Sequence, residues 1–136
     1  MTEITLPYHL FIPTLICIGI LILMIFNYKS LLKNKRYRWL WICFALFLVL
    51  YIFIVGSATI LDIYYQWDLN RYDYDKDGFF AGEEITQEQQ VAMQKLTNDL
   101  GRNLTFITGF MFSIIISVAV YISGIILNKA KQSSYS

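Results

Sequence analysis

The stretch Trp39-Leu-Trp-Ile-Cys-Phe-Ala-Leu-Phe-Leu-Val-Leu-Tyr-Ile-Phe-Ile-Val-Gly-Ser-Ala-Thr-Ile-Leu61 carries no charged residue. A helix needs about 20 apolar residues to cross the ~30 Å hydrocarbon core of a bilayer, and this run is long enough. Trp39 and Trp41 stand at one end, with Tyr64, Tyr65 and Trp67 beyond the other. Rings of this kind settle at membrane–water boundaries. Two further apolar runs have the same character, Tyr8 to Tyr28 and Leu104 to Leu127. The composition agrees: the chain is 57% hydrophobic and 15% charged, where soluble domains average about 25% charged.

Outward from the central run, charge is sorted by segment. On the N-terminal side, Lys29-Ser-Leu-Leu-Lys33-Asn-Lys35-Arg36-Tyr-Arg38 has five basic residues and no acid. Short basic loops stay in the cytoplasm, and they also attract anionic lipid at about 1 kcal/mol per residue. Residues 1–7 hold Glu3 and no basic residue, so the first run reads as a retained span rather than a cleaved leader. Pro13 is expected to kink that span or to mark a late start. On the C-terminal side, residues 62–103 carry Asp62, Asp68, Asp73, Asp75, Asp77, Glu83, Glu84, Glu88 and Asp99 against Arg71, Lys76, Lys95 and Arg102. This acidic region is expected outside the cytoplasm. Both signals give one topology: N-terminus and residues 62–103 extracytoplasmic, residues 29–38 and C-terminus cytoplasmic, as in a bacterial inner membrane.

The acidic region contains Asp73-Tyr-Asp75-Lys-Asp77-Gly78-Phe79-Phe80-Ala81-Gly82-Glu83-Glu84. Calcium takes six to eight oxygens at about 2.3–2.6 Å. A short loop supplies them when alternate side chains turn inward. Asp73, Asp75 and Asp77 provide inward oxygens, Gly78 takes the sharp turn, Phe79 offers its carbonyl and Glu84 closes the far side. The pattern D-x-[DN]-x-[DN]-G-x5-E is met at every position and resembles the calcium loop of the EF-hand family. The resemblance covers this loop and its flanks, not the rest of the chain. It implies a Ca2+ site with Asp73, Asp75, Asp77, Phe79 and Glu84 as ligands. Ala81 departs from the usual oxygen-bearing residue at the ninth loop position, and the hand is single. Both point to affinity near the roughly 10⁻⁴–10⁻³ M of extracellular modules.

No glycine or proline occurs in residues 62–72, so the second span is expected to run on as a helix into the loop. Thr86-Gln-Glu-Gln89 is a capping-box pattern that opens a helix. Ala92, Leu96, Leu100 and Leu104 then recur every fourth residue, with Met93 beside them, which predicts one apolar stripe and a bend near Gly101-Arg102. In the third span Thr105, Gly109, Ser113 and Ser117 form a stripe of small residues, a face suited to close contact with another helix. Gly56, Ser57, Ala58 and Thr59 offer a similar approach on the second.

No span holds Asp, Glu, Lys, Arg or His at its middle, which argues against a pump or a transporter. His9 is the sole imidazole, so paired haem ligands and serine or cysteine triads have no histidine to use. Cys17 and Cys43 are expected at different depths and unbridged. The expected fold is all-α: three transmembrane helices with an extracytoplasmic helix–calcium loop–helix insertion between the second and third. Its parts are residues 1–61, 62–103 and 104–136. The expected function is a non-enzymatic, calcium-binding accessory or scaffold subunit. Its partners are the lipid bilayer and other membrane subunits or itself, with no role for nucleic acid. The alternatives are a calcium sensor acting on a membrane partner and a homo-oligomeric channel lined by Ser113 and Ser117.

Overall fold

The computed structural model of the chain describes residues 4–97 and 100–133. Asp99 and the ends of both termini lie outside these. Among the described residues there are helices and no strand: α1 (Tyr8–Phe26), α2 (Tyr28–Leu31), α3 (Lys35–Asn70), a 3-10 turn at Gly82–Glu84, α4 (Gln87–Thr97), α5 (Leu100–Asn103) and α6 (Thr105–Ser133). α1, α3 and α6 are long and apolar enough to cross a membrane. The chain is therefore all-helical, as expected, and fits a multi-pass membrane protein whose apolar helices meet lipid. Pro13 neither ends nor delays α1, which begins at Tyr8 and includes it. α3 has 36 residues. At 1.5 Å per residue it is about 54 Å long, far more than the ~30 Å hydrocarbon core requires. Its last turns, from Asp62, continue past the apolar run as anticipated.

α3 is the axis of the bundle, and α1 and α6 both pack along it. Lipid tails are as apolar as leucine, so close approach and hydrogen bonds must hold such helices together. The small-residue stripe of α6 supplies the approach: Gly109, Ser113 and Ser117 are buried against α3. A Cβ at Gly109 would lie 3.0 Å from Ile54 Cγ2 and 3.2 Å from Val55 Cγ2. Gly124 continues the same face against the Trp39 indole. Trp39 Nε1 donates to the Tyr121 carbonyl at 3.3 Å, so this ring packs α3 on α6 as well as standing at the boundary.

On the other flank Gly56 faces Thr14 of α1, 3.7 Å from its Cγ2. Leu10, Tyr51, Val55 and Ala58 form the core there, joined by Cys17 and Phe106. The buried hydroxyls of Thr14 and Thr59 donate to Leu10 and Val55 carbonyls one turn back, at 2.8 and 2.9 Å. They therefore cost little in an apolar setting. Cys17 and Cys43 are both free thiols.

Beyond the apolar part of α3, α4 folds back onto it. Thr86 Oγ1 accepts from the Gln89 amide at 3.1 Å, the cap read from sequence. The reciprocal bond of a capping box does not form; the Gln89 side chain is buried and its Nε2 reaches Met93 Sδ at 3.7 Å. The expected apolar stripe is only partly realised. Ala92 is buried and Leu96 half-buried, but Met93, Leu100 and Leu104 are exposed. α4 is described to Thr97 and α5 over Leu100–Asn103, and a turn at Leu104 leads into α6.

Gly109→Leu should destabilise the α3–α6 contact by about 1–3 kcal/mol, read as a lower thermal midpoint in mild detergent. Gly19→Leu, whose added side chain would meet open space, should leave it unchanged. An equal loss in both would reject close helix approach as the reason for the small-residue stripe.

Candidate metal centre

Asp73 follows the end of α3 directly, after turns in which the Arg71 and Tyr72 amides donate to the Asp68 and Leu69 carbonyls. The chain then reverses at Lys76 and Gly78, whose φ angles are 61° and 86°. Gly78 was expected there. Lys76 was not, and a left-handed residue bearing a side chain costs about 1–2 kcal/mol. Two aspartates hold the turn by accepting from amides two residues on, Asp75 Oδ1 from Asp77 N at 3.2 Å and Asp77 Oδ1 from Phe79 N at 2.7 Å.

Asp73, Asp75 and Glu84 each bring a carboxylate oxygen within 4.8 Å of the others. Asp73 and Glu84 are buried, while Asp75 is exposed. Glu84 ties the loop shut: Oε1 accepts from Tyr74 N at 2.6 Å and Asp75 N at 3.3 Å, and Oε2 from Ala81 N at 3.3 Å. Asp73 Oδ2 accepts from Gly78 N at 3.2 Å, but Oδ1 is buried with no hydrogen-bond partner among the described residues. An anionic oxygen in that position costs free energy until something positive meets it. The cluster can thus hold a metal ion.

The structure gathers three of the five residues expected to ligate. Asp77 lies outside the trio and is engaged with the Phe79 amide. The Phe79 ring is exposed. Both Glu84 oxygens, expected to close the far side of the ion, accept backbone amides. A carboxylate has about four lone-pair sites, so these bonds leave capacity for a further partner.

Crowding leaves a mark on Asp75. The Asp77 amide favours its charge, but desolvation and the carboxylates of Asp77, Glu84 and Asp73 outweigh that bond and raise the pKa above its usual value. The folded loop therefore takes up a proton before the unfolded chain does as pH falls. Its stability is greatest below the unfolded pKa and is lost as pH rises through the raised one.

A second polar centre went unread in the sequence. Arg102 Nε lies 2.8 Å from Asp62 Oδ1, with side chains 3% and 10% exposed. Arg102 Nη2 donates to the Leu96 carbonyl at 2.9 Å, and its guanidinium lies 5.0 Å from the Tyr65 ring centre. Gln66 Nε2 donates to Asp62 Oδ2 at 2.8 Å and to the Thr5 carbonyl at 2.9 Å, while Thr5 N donates to Gln66 Oε1 at 2.8 Å. One cluster joins the N-terminal strap, α3, α4 and α5. A signal for it existed: Asp62 ends the second apolar run and Arg102 precedes the third, so opposite charges stand at neighbouring ends of two antiparallel spans.

Compared with protein families, curated proteins and solved structures, the chain has no match.

In chelator, carboxyl NMR titration should find Asp75 protonating at a higher pH than an ordinary aspartate, and Glu84→Gln should bring it down. An ordinary value would remove carboxylate crowding. Arg102→Met should cost about 3–5 kcal/mol of stability, because it strands a buried Asp62. Asp62→Leu combined with Arg102→Met should cost clearly less than the sum of the singles, and additive losses in chemical unfolding would dissolve the pair.

Proposed function

We propose that this protein is a non-catalytic, calcium-binding accessory or scaffold subunit of a membrane assembly, with the ion stapling the helices that flank Asp73–Glu84. The observation that carries the reading is the convergence of Asp73, Asp75 and Glu84 around a buried, partnerless Asp73 Oδ1. Oxygen-only donor sets suit hard cations, and a flexible loop of carboxylates and carbonyls suits calcium better than the rigid octahedron magnesium demands. The EF-hand-like spacing supports the same choice. Asp73, Asp75 and Glu84 would hold the ion, with Asp77 and the Phe79 carbonyl completing the set. A bound cation would neutralise the crowded carboxylates and fix the end of α3 relative to the start of α4. We place this helix–loop–helix insertion outside the cytoplasm, opposite the basic residues 29–38, in a bacterial inner membrane.

An accessory role is supported by a groove of about 430 Å³ between α3 and α6, walled by Leu40, Phe44, Phe47, Phe110 and Ile114. Ser117 also lines it, and its hydroxyl has no hydrogen-bond partner among the described residues. A neighbouring membrane helix would fill that groove.

The test uses right-side-out membrane vesicles, with calcium added outside only. Hydrogen exchange of residues 73–84 should slow with a midpoint of about 10⁻⁴–10⁻³ M, and Asp73→Asn should abolish the effect. Protection that appears only after permeabilisation would put the loop in the cytoplasm; none under either condition would sink the calcium site. A partner should co-purify in mild detergent, and a protein running alone as a monomer would sink the accessory role.

A further inference from the structure

One cleft is lined by basic residues and by no acid. Residues 4–61 and 100–136 contain no Asp or Glu, while the basic loop and the end of α6 hold Lys29, Lys33, Lys35, Arg36, Arg38, Lys129 and Lys131. Antiparallel packing of α3 and α6 brings these two basic segments to the same end of the bundle. There a cleft of about 340 Å³ opens between the helices, lined by Lys35, Arg38, Trp39, Gly124, Leu127 and Asn128.

The lining divides into two halves. Lys35 and Arg38 supply positive charge, and neither makes an ion pair with a described residue. Arg38 offers a planar fork suited to a phosphate group and Lys35 a point charge. The Asn128 amide adds neutral donors. The other half is apolar: Leu127, Gly124 and the face of Trp39, whose N–H is already given to Tyr121. This half lies where the apolar stretches of α3 and α6 begin and end, at a membrane boundary.

We propose that this cleft binds the headgroup phosphate of an anionic phospholipid, with the lipid's tails running down the apolar face beside Trp39. A soluble phosphate would meet the same cations but leave the apolar half unused. Topology alone requires basic residues on this side of the membrane. It does not require two of them to share a cleft with a tryptophan wall and an amide. Basic pockets between spans are where acidic lipid headgroups lodge, and nothing in this site involves the acidic loop at the other end.

The experiment reads Trp39 directly. A variant with Trp41→Phe and Trp67→Phe keeps Trp39 as its one tryptophan. It is reconstituted in phosphatidylcholine vesicles containing a minor fraction of lipid brominated on its tails, either phosphatidylglycerol or phosphatidylcholine. Brominated phosphatidylglycerol should quench as though enriched about fivefold or more at Trp39. Lys35→Gln with Arg38→Gln should abolish the enrichment. Lys29→Gln with Lys33→Gln removes the same charge outside the cleft and should leave it nearly intact. Equal loss in the two pairs, or no enrichment at the start, would overturn the proposal. Reversal by millimolar inorganic phosphate at constant ionic strength would overturn it in favour of a soluble anion. Native mass spectrometry of the wild-type chain makes the same lipid comparison without tryptophan changes.

Discussion

The Asp62–Arg102 ion pair is the constraint on which the acidic end of the molecule depends. Inside a bilayer, apolar contact gives helices little reason to prefer one register over another. A buried charge does give one, because sliding either helix by a turn would strand it. Arg102 is nearly fully buried, and its guanidinium reaches Asp62 on α3, the Leu96 carbonyl of α4 and the Tyr65 ring. Gln66 extends the network from Asp62 to the backbone of Thr5 ahead of α1. Four segments are thus registered by charge and amide contacts in one place. Such pairs are weak evidence for stability but good devices for specificity.

Deeper in the bundle the constraint is steric. Gly109, Ser113, Ser117 and Gly124 let α6 approach α3 along most of its length, and Gly56 lets α1 approach from the other side. The aromatic rings close the remaining space, with Phe47 and Tyr51 meeting Phe110 edge-on at centroid distances of 5.6 and 6.1 Å. The Tyr51 hydroxyl donates to the Phe106 carbonyl at 3.4 Å, so even this central ring spends its polar atom across the helix interface. At the basic end Trp39 still bridges α3 and α6 through its bond to the Tyr121 carbonyl, and the cleft opens beside it.

Much of this was legible from residues because the signals were local. An uncharged apolar run dictates a span, Thr86 dictates a cap, and a small-residue stripe dictates a contact face. The α6 stripe met α3, which periodicity alone did not specify. What escaped was the interaction between distant positions. Asp62 and Arg102 looked like ordinary members of a polar region, and only their places at neighbouring ends of two antiparallel spans hinted that they pair. The Ala92–Leu104 stripe was realised only in part for a related reason: Arg102, between its last two members, turns inward while Leu100 and Leu104 stay exposed. At the acidic loop, spacing named the carboxylates but not their competing duties. Asp77 and Glu84 are already engaged with backbone amides that shape the turn.

Those duties bear on what a proposed cation can do. α4 is restrained at both ends. Before it, Glu84 holds the loop closed through three backbone amides. After it, the Leu96 carbonyl is held by Arg102, itself paired with Asp62. Swinging α4 away from α3 would break the bond from Arg102 to the Leu96 carbonyl, at a cost of about 1.5–3 kcal/mol. An ion present at ten times its dissociation constant contributes only about 1.4 kcal/mol. Binding at that level is too weak to overcome the clamp, while the cation would meet the partnerless oxygen of Asp73 and the crowded carboxylate of Asp75. The balance of these magnitudes favours a cation that stiffens an arrangement already in place over one that drives a large movement.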